Sequence, residues 1–270
     1  MEMGFSVVDF KPLRSGVPSN PPRWGGLKIF STYSLKMLVS LTIIRYPKYF
    51  IPVAFMSMAV LRLPMMLSKS SFWKLLGCGK NGTFDINPDW QQWGMMAVWK
   101  DKNDFEAFQA KSYVWKWWRF FTSEQWTMLC VPYESHGKWD GKEPFGKPSP
   151  DRNYSKTVAV LTRATIRWSK LSGFWKNVPI VAATMNDAPG FITSVGIGEA
   201  PFVRQATFSV WKSLDDVKKF AYRQREHAEI IKKTKEEGWY SEELFARFIP
   251  TETFGTIKGV NPFVVENLNN

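Results

Sequence analysis

Apolar and polar positions recur in one order twice along the chain. Alternating or continuous apolar runs predict strands at 38–45, 72–80, 93–99 and 125–133, and helical spacing predicts helices at 48–63 and 102–122. A second series places strands at 159–167, 191–199, 203–211 and 243–250, with helices at 170–185 and 214–237. Each series runs strand, helix, strand, strand, helix, strand. The two are copies. Val98-Trp99-Lys100 matches Val210-Trp211-Lys212, Asp104 matches Asp216 and Phe108 matches Phe220, all at an offset of 112 (210 − 98). After the second helix, Pro132, Gly137 and Gly141 match Pro250, Gly255 and Gly259 at an offset of 118 (250 − 132), so the later copy has six extra residues around its helix (118 − 112). Upstream, Phe72 with Gly77-Cys78-Gly79 matches Phe191 with Gly196-Ile197-Gly198 at 119 (191 − 72).

The second helix of each copy starts alike. Asp101-x-x-Asp104 and Ser213-x-x-Asp216 put a capping oxygen at the start and a carboxylate three residues on, near the positive end of the helix. Val217, Phe220 and Ala221, like Phe105 and Phe108, form the stripe that packs on a sheet. A βαββαβ unit folds as an antiparallel sheet with both helices on one face. The predicted class is therefore α+β: two ferredoxin-like halves whose bare faces close on each other as a dimeric-type α+β barrel within one chain. The barrel interior is the expected pocket. The predicted boundaries are a disordered leader at 1–36, halves at 37–146 and 158–257, a linker at 147–157 and a tail at 258–270. Met37, just before the first strand, is a candidate translational start.

Composition adds three points. Fourteen Trp and 21 Phe imply an aromatic core or a large apolar cavity. The net charge of +12 suits an acidic protein partner, an anionic membrane surface or a nucleic acid. Cys78 and Cys130 have no CxxC or ligand spacing, so reduced thiols and a cytoplasmic compartment are expected. The first 35 residues show no secretory apolar region before a small-residue cleavage site. The most apolar run, 50–61, is interrupted by Pro52 and closed by Arg62, and reads as a buried amphipathic helix too short to span a bilayer. Peripheral association with the inner membrane face stays open.

Candidate chemistry is sparse. His227, with Ile230, Ile231 and Thr234, lies at i, i+3, i+4 and i+7 on an apolar helix face, within the six extra residues' surroundings. His136, in ESHGKWDG, reads as an exposed loop residue. The Gly-x-Gly pairs lack a third glycine and lead into another strand, which excludes a dinucleotide loop. In KSYVWKWWRFF (111–121) aromatics go nearly all round the helix, which argues against a nucleic-acid surface and for an apolar partner. No Ser/His/Asp order or HExxH is present, and one helical histidine cannot cage a metal alone, though it can hold one axial position of a haem.

The segments FWKLLGCG (72–79), SEQWTMLCVP (123–132), GKWDGKEPF (137–145), LTRATIR (161–167), VGIGE (195–199), QATFSVW (205–211) and EGWYSEELFARF (237–248), in this order, resemble the spheroidene monooxygenase family of carotenoid biosynthesis. The likeness runs from about Leu38 to Phe254. It implies an oxygenase that inserts oxygen at C2 of a carotenoid end group, giving a hydroxy or keto product. It also implies dioxygen, electrons from reduced ferredoxin, and haem. The histidine before the EGW segment matches His227, which makes it the implied axial ligand of the haem iron. By analogy Arg204, at a strand end with Arg163 and Arg167, is a candidate partner for a haem propionate. A non-catalytic haem or lipophilic-ligand carrier and a cofactor-free barrel monooxygenase are the alternatives.

Overall fold

A computed structural model describes residues 37–80, 87–151, 153–223, 234 and 236–264, with 180, 181, 183, 222 and 223 by backbone alone. The leader expected at 1–36 and the candidate ligand His227 lie outside the described residues. Eight strands close into an antiparallel barrel: β1 (Leu38–Arg45), β2 (Phe72–Gly79), β3 (Pro88–Trp99), β4 (Glu124–Gly137), β5 (Val158–Ile166), β6 (Phe191–Ala200), β7 (Arg204–Trp211) and β8 (Tyr240–Gly255). The order around the barrel is β1-β3-β2-β6-β7-β5-β8-β4. Each half is a βαββαβ unit, and the halves meet along a long β4–β8 seam and a short β2–β6 seam, where Gly77 faces Gly198 and Cys78 faces Ile197.

Helices lie outside the barrel: α1 (Ile51–Val60), α2 (Arg62–Met66), α3 (Lys102–Lys111) and α4 (Tyr113–Phe121) over the first half, α5 (Leu171–Asn186) and α6 (Leu214–Arg223) over the second. The expected caps form: Asp101 accepts from the Asp104 amide at 3.0 Å and Ser213 from the Asp216 amide at 3.1 Å. The single helix expected at 102–122 is two, because Ser112 is extended and its hydroxyl caps α4 by accepting from the Trp115 amide at 3.0 Å. The run at 50–61 is also not a buried helix. Ala54, Ser57, Leu61 and Met65 pack inward, but Phe55, Met56, Val60, Leu63 and Met66 stand in solvent, because the helix meets the sheet along one stripe only.

Among the described residues the barrel interior is filled by side chains rather than forming the expected pocket. Alternate residues of all eight strands point inward and join one cluster, among them Leu41, Leu76, Met96, Met128, Leu161, Ile197, Phe208 and Phe248. An eight-stranded barrel is just wide enough for its own side chains. The two cysteines are free and belong to this core, and burial pushes the Cys78 thiol up to about 12, so neither is a ready nucleophile.

Each end of the barrel is closed by the loop that follows the last strand of a half. Residues 138–146 tuck in Trp139 and Phe145, and residues 256–264, mostly assigned to a tail by the sequence, tuck in Ile257 and Phe263. The latches are reciprocal. Glu242 of β8 accepts from the amides of Asp140 (3.1 Å) and Gly141 (2.8 Å), and Glu124 of β4 accepts from those of Lys258 and Gly259 (both 2.6 Å). Gly137 and Gly255 open the two loops with positive φ (88° and 84°), and a Cβ on either would run into a backbone carbonyl of the neighbouring strand.

The two ends differ in charge. Arg163, whose side chain is 1% exposed, pairs with Glu242 and with Glu199 at 3.2 Å. Lys74 pairs with Asp140 and, at 2.8 Å, with Glu199. Trp139 lies under both cations and donates its indole N–H to Glu199 at 2.8 Å. Burial pushes the Asp140 and Glu242 carboxyls up, but it is outweighed, by Lys74, Arg204 and Arg163 at Asp140 and by the loop amides and Arg163 at Glu242. Both end below the ordinary carboxylate range. A depressed folded-state value stabilises above the unfolded pKa, and that stability is lost as pH falls through the folded value. Glu242→Gln is expected to cost about 3 kcal/mol by leaving buried Arg163 underpaired, read as a thermal midpoint lower by about 6–12 °C. The difference from wild type should shrink on acidification below about pH 4.

Candidate functional site

Outside the barrel, the two copies of the sheet meet their helices differently. In the first half, the row across the middle of the sheet is Leu75, Met95, Thr42, Thr127. Leu75 and Met95 belong to the large cluster under α1 to α4, with Trp93, Trp99, Phe105, Trp115 and Trp118. Thr42 is 0% exposed and its hydroxyl bonds that of Thr127 at 3.0 Å. That face is sealed.

The corresponding row of the second half is Gly196, Thr207, Thr162, Phe245. Two large apolar side chains are replaced by a hydrogen atom and a threonine. The next row changes in the same sense, from Gly77, Trp93 and Ile44 to Gly198, Gln205 and Ala164. Thr162, in mid-strand and flanked on β5 by buried Leu161 and Arg163, is exposed. The smaller side chains leave a hollow over this sheet face, floored by Thr162, Ala164, Gly196, Gly198, Gln205 and Thr207, of which Thr162 is exposed and Ala164, Gly196, Gln205 and Thr207 are buried.

Its borders are two separate apolar clusters where the first half has one. On one side Val158, Val160, Met185, Trp211, Val217 and Phe220 anchor α6; on the other stand Ile166, Phe174 and Trp239, with Trp175 and Tyr240 packed against them. Burial pushes the Tyr240 phenol up to about 12, so it keeps its proton at neutral pH. The Thr207 hydroxyl is buried with no hydrogen-bond partner. A buried orphan hydroxyl costs free energy and calls for an explanation, of which a bound group is one. Small residues, a free hydroxyl and aromatic borders fit a flat, mostly apolar group such as a haem. No cluster of three or more metal-ligating side chains occurs among the described residues, so a metal here would need a ligand such as His227. The chain joining α6 to Thr234 carries His227.

The other sequence-derived candidates lie elsewhere. Arg204 opens β7 on the inward-facing side and reaches the charged barrel end, where it pairs with Asp140 at 3.2 Å, on the opposite sheet face from the hollow. Arg163 lies in the same cluster. His136 is exposed, bonded to Glu134 at 2.9 Å, beside a shallow open depression of about 430 Å³ lined by Glu134, Glu143 and Lys147. Its polar walls do not suit an apolar ligand. Thr162 and Thr207 were not legible as site residues, because only strand pairing brings them side by side.

The hollow predicts its own energetics. Thr207→Val, which removes the orphan hydroxyl and keeps the shape, is expected to raise stability by about 1 kcal/mol, measured by denaturant unfolding of the ligand-free protein. A loss of similar size would mean that the hydroxyl is satisfied within the protein.

Comparison with known proteins gives one consistent relationship. The chain is 36% identical over 197 residues to the spheroidene monooxygenase of Cereibacter sphaeroides, covering 73% of this chain and 60% of that protein. It is 35% identical over 196 residues to that of Rhodobacter capsulatus (71% of this chain, 80% of that one), and 35% identical over 189 residues to that of Rubrivivax gelatinosus (70% and 72%). No family model matches the chain. Among solved structures, an aldoxime dehydratase in complex with butyraldoxime aligns with a TM-score of 0.57 at 11% identity, over 80% of both chains. A second aldoxime dehydratase structure aligns with 0.55 at 10% identity, over 80% of this chain and 82% of that one. These two establish a shared barrel fold. The coverage and identity of the Rhodobacter and Rubrivivax relatives establish more: the chain belongs to the spheroidene monooxygenase family.

Proposed function

We propose that the protein is a haem-dependent monooxygenase that inserts oxygen at C2 of a carotenoid end group, with the reaction centred on the hollow of the second half. The observation that carries this reading is the match to three spheroidene monooxygenases; the difference between the two sheet faces supports the location. His227 is the proposed axial ligand, on the chain that leaves α6 at one border of the hollow and returns at Thr234 near the other. Haem bound there would supply the site at which dioxygen is reduced.

The balance of the reaction sets what the chain must provide. One oxygen atom enters a C–H bond at C2 as a hydroxyl, and the other leaves as water with two electrons and two protons. Reduced ferredoxin is the proposed electron source, and the +12 net charge favours an acidic protein of that kind. A second round on the same carbon gives a gem-diol that loses water to a ketone. Trp175 and Tyr240 at one border present apolar surface to a polyene, backed at the other border by buried Trp211 and Phe220, and help keep water from the reacting carbon.

Expression in a carotenoid-producing host tests the proposal. Pigments carrying one or two added oxygen atoms by mass, labelled from oxygen-18 gas, are expected. Unchanged pigments despite tight haem binding would point instead to a carrier, and turnover in haem-free protein would remove haem from the reaction.

A further inference from the structure

The largest apolar surface among the described residues is on the first half, away from the hollow's sheet face. Tyr49, Phe55, Met56, Val60, Leu63, Met66 and Leu67 stand out from α1, α2 and their flanks, with Leu67 80% exposed, and Phe120 of α4 is 77% exposed. Ring contacts tie it into two runs. Tyr49 stacks on Phe50 (ring centroids 4.7 Å apart), Phe50 meets Phe121 (5.4 Å), Phe121 meets Phe120 (4.8 Å), and Phe55 lies on exposed Trp90 (5.2 Å). Exposed apolar groups in such a run mark a contact surface.

Charge identifies the occupant. No Asp or Glu occurs from 46 to 80 or from 107 to 123, whereas exposed Lys48, Arg62, Lys111, Lys116 and Arg119 alternate with the apolar groups. Aromatic and aliphatic side chains among cations, with Asp89 beside Trp90 already paired to Arg45 at 2.9 Å, match an anionic lipid headgroup layer over an acyl boundary. The 19-residue stretch Lys48–Met66 is long and apolar enough to cross a bilayer. It is held flat by Ala54, Leu61 and Met65, which are buried in the cluster with Tyr46 and Trp118, and crossing would tear that stripe from the sheet.

We propose that α1, α2 and the outer side of α4 form a monotopic docking face for anionic membranes, inserting Leu63, Leu67 and Phe120 below the headgroups. It rests on this surface alone and stands or falls independently of the carotenoid reading. The test is flotation of the full-length protein with vesicles of phosphatidylglycerol and phosphatidylcholine, against phosphatidylcholine alone. Wild type is expected to float with the anionic vesicles and to be released by high salt. Lys116→Glu with Arg119→Glu should weaken partitioning by about tenfold or more. Leu63→Glu, Leu67→Glu and Phe120→Glu together should abolish it with an unchanged thermal midpoint, since all three positions are exposed. Wild type that stays unbound to either vesicle overturns the proposal. So does a dimer in solution that the triple variant dissociates, which would give the face to a second copy. Resistance to alkaline extraction from membranes would also overturn it, in favour of a span.

Discussion

His227→Ala is expected to abolish the Soret band of haem-reconstituted protein and to reduce carotenoid oxygenation by well over the roughly 10–100-fold lost when only a hydrogen-bond partner of a metal ligand is removed. The chain has two histidines, and the other, His136, is exposed and bonded to Glu134 beside a polar depression. Thr162 and Thr207 can accept hydrogen bonds but are poor iron ligands, and the buried cysteines resist ionisation. The alanine variant should keep its circular dichroism and thermal midpoint in the haem-free state, which separates loss of a ligand from loss of the fold. Added imidazole, occupying the space left by the side chain, should restore the absorption spectrum. A variant with the wild-type iron spectrum and full activity would eliminate His227 as the ligand.

The duplication, the strand order, the helix caps and the barrel could all be read from the sequence, because each follows from local periodicity or from repeats of the same residues. What failed depended on packing between distant elements. Ser112 looked like helix interior until its hydroxyl turned out to cap α4. The barrel interior looked like a pocket because alternation tells which side chains face inward but not whether they fill the space. Arg163 looked like a strand-end residue, and its burial depends on Glu199, Glu242 and Trp139 from other parts of the chain. The hollow was hidden by the repeat itself. Matching the Gly-x-Gly pairs sets Gly77 against Gly196, yet strand pairing sets Leu75, the partner of Met95, against Gly196, the partner of Thr207. Register irregularities in β6 between Phe191 and Thr193 and between Gly198 and Ala200 accompany this mismatch. The likeness in sequence therefore concealed the loss of a leucine from the second sheet face.

That difference can be reversed by substitution, with a large expected effect. Thr207→Met puts into the second half the residue that stands at the matching place in the first, where Met95 is fully buried between Leu75 and Thr42. In the second half the methionine would extend over Thr162 and Gly196, whose side chains are smaller than those around Met95, but from a position that is itself buried. An overpacking cost of about 1–3 kcal/mol is therefore expected. Loss of the orphan hydroxyl offsets part of it, so the haem-free variant should still fold. Binding should suffer in proportion: a flat group resting on this floor would be displaced by more than an ångström, enough to cost about 100-fold in turnover. Haem titration and pigment mass analysis of Thr207→Met beside Thr207→Val separate volume from chemistry, because valine keeps the floor at its original height. Both variants failing alike would mean that the hydroxyl matters, and Met failing alone would mean that the space does. If Met bound haem and oxygenated pigment like wild type, the hollow would have no part in the reaction.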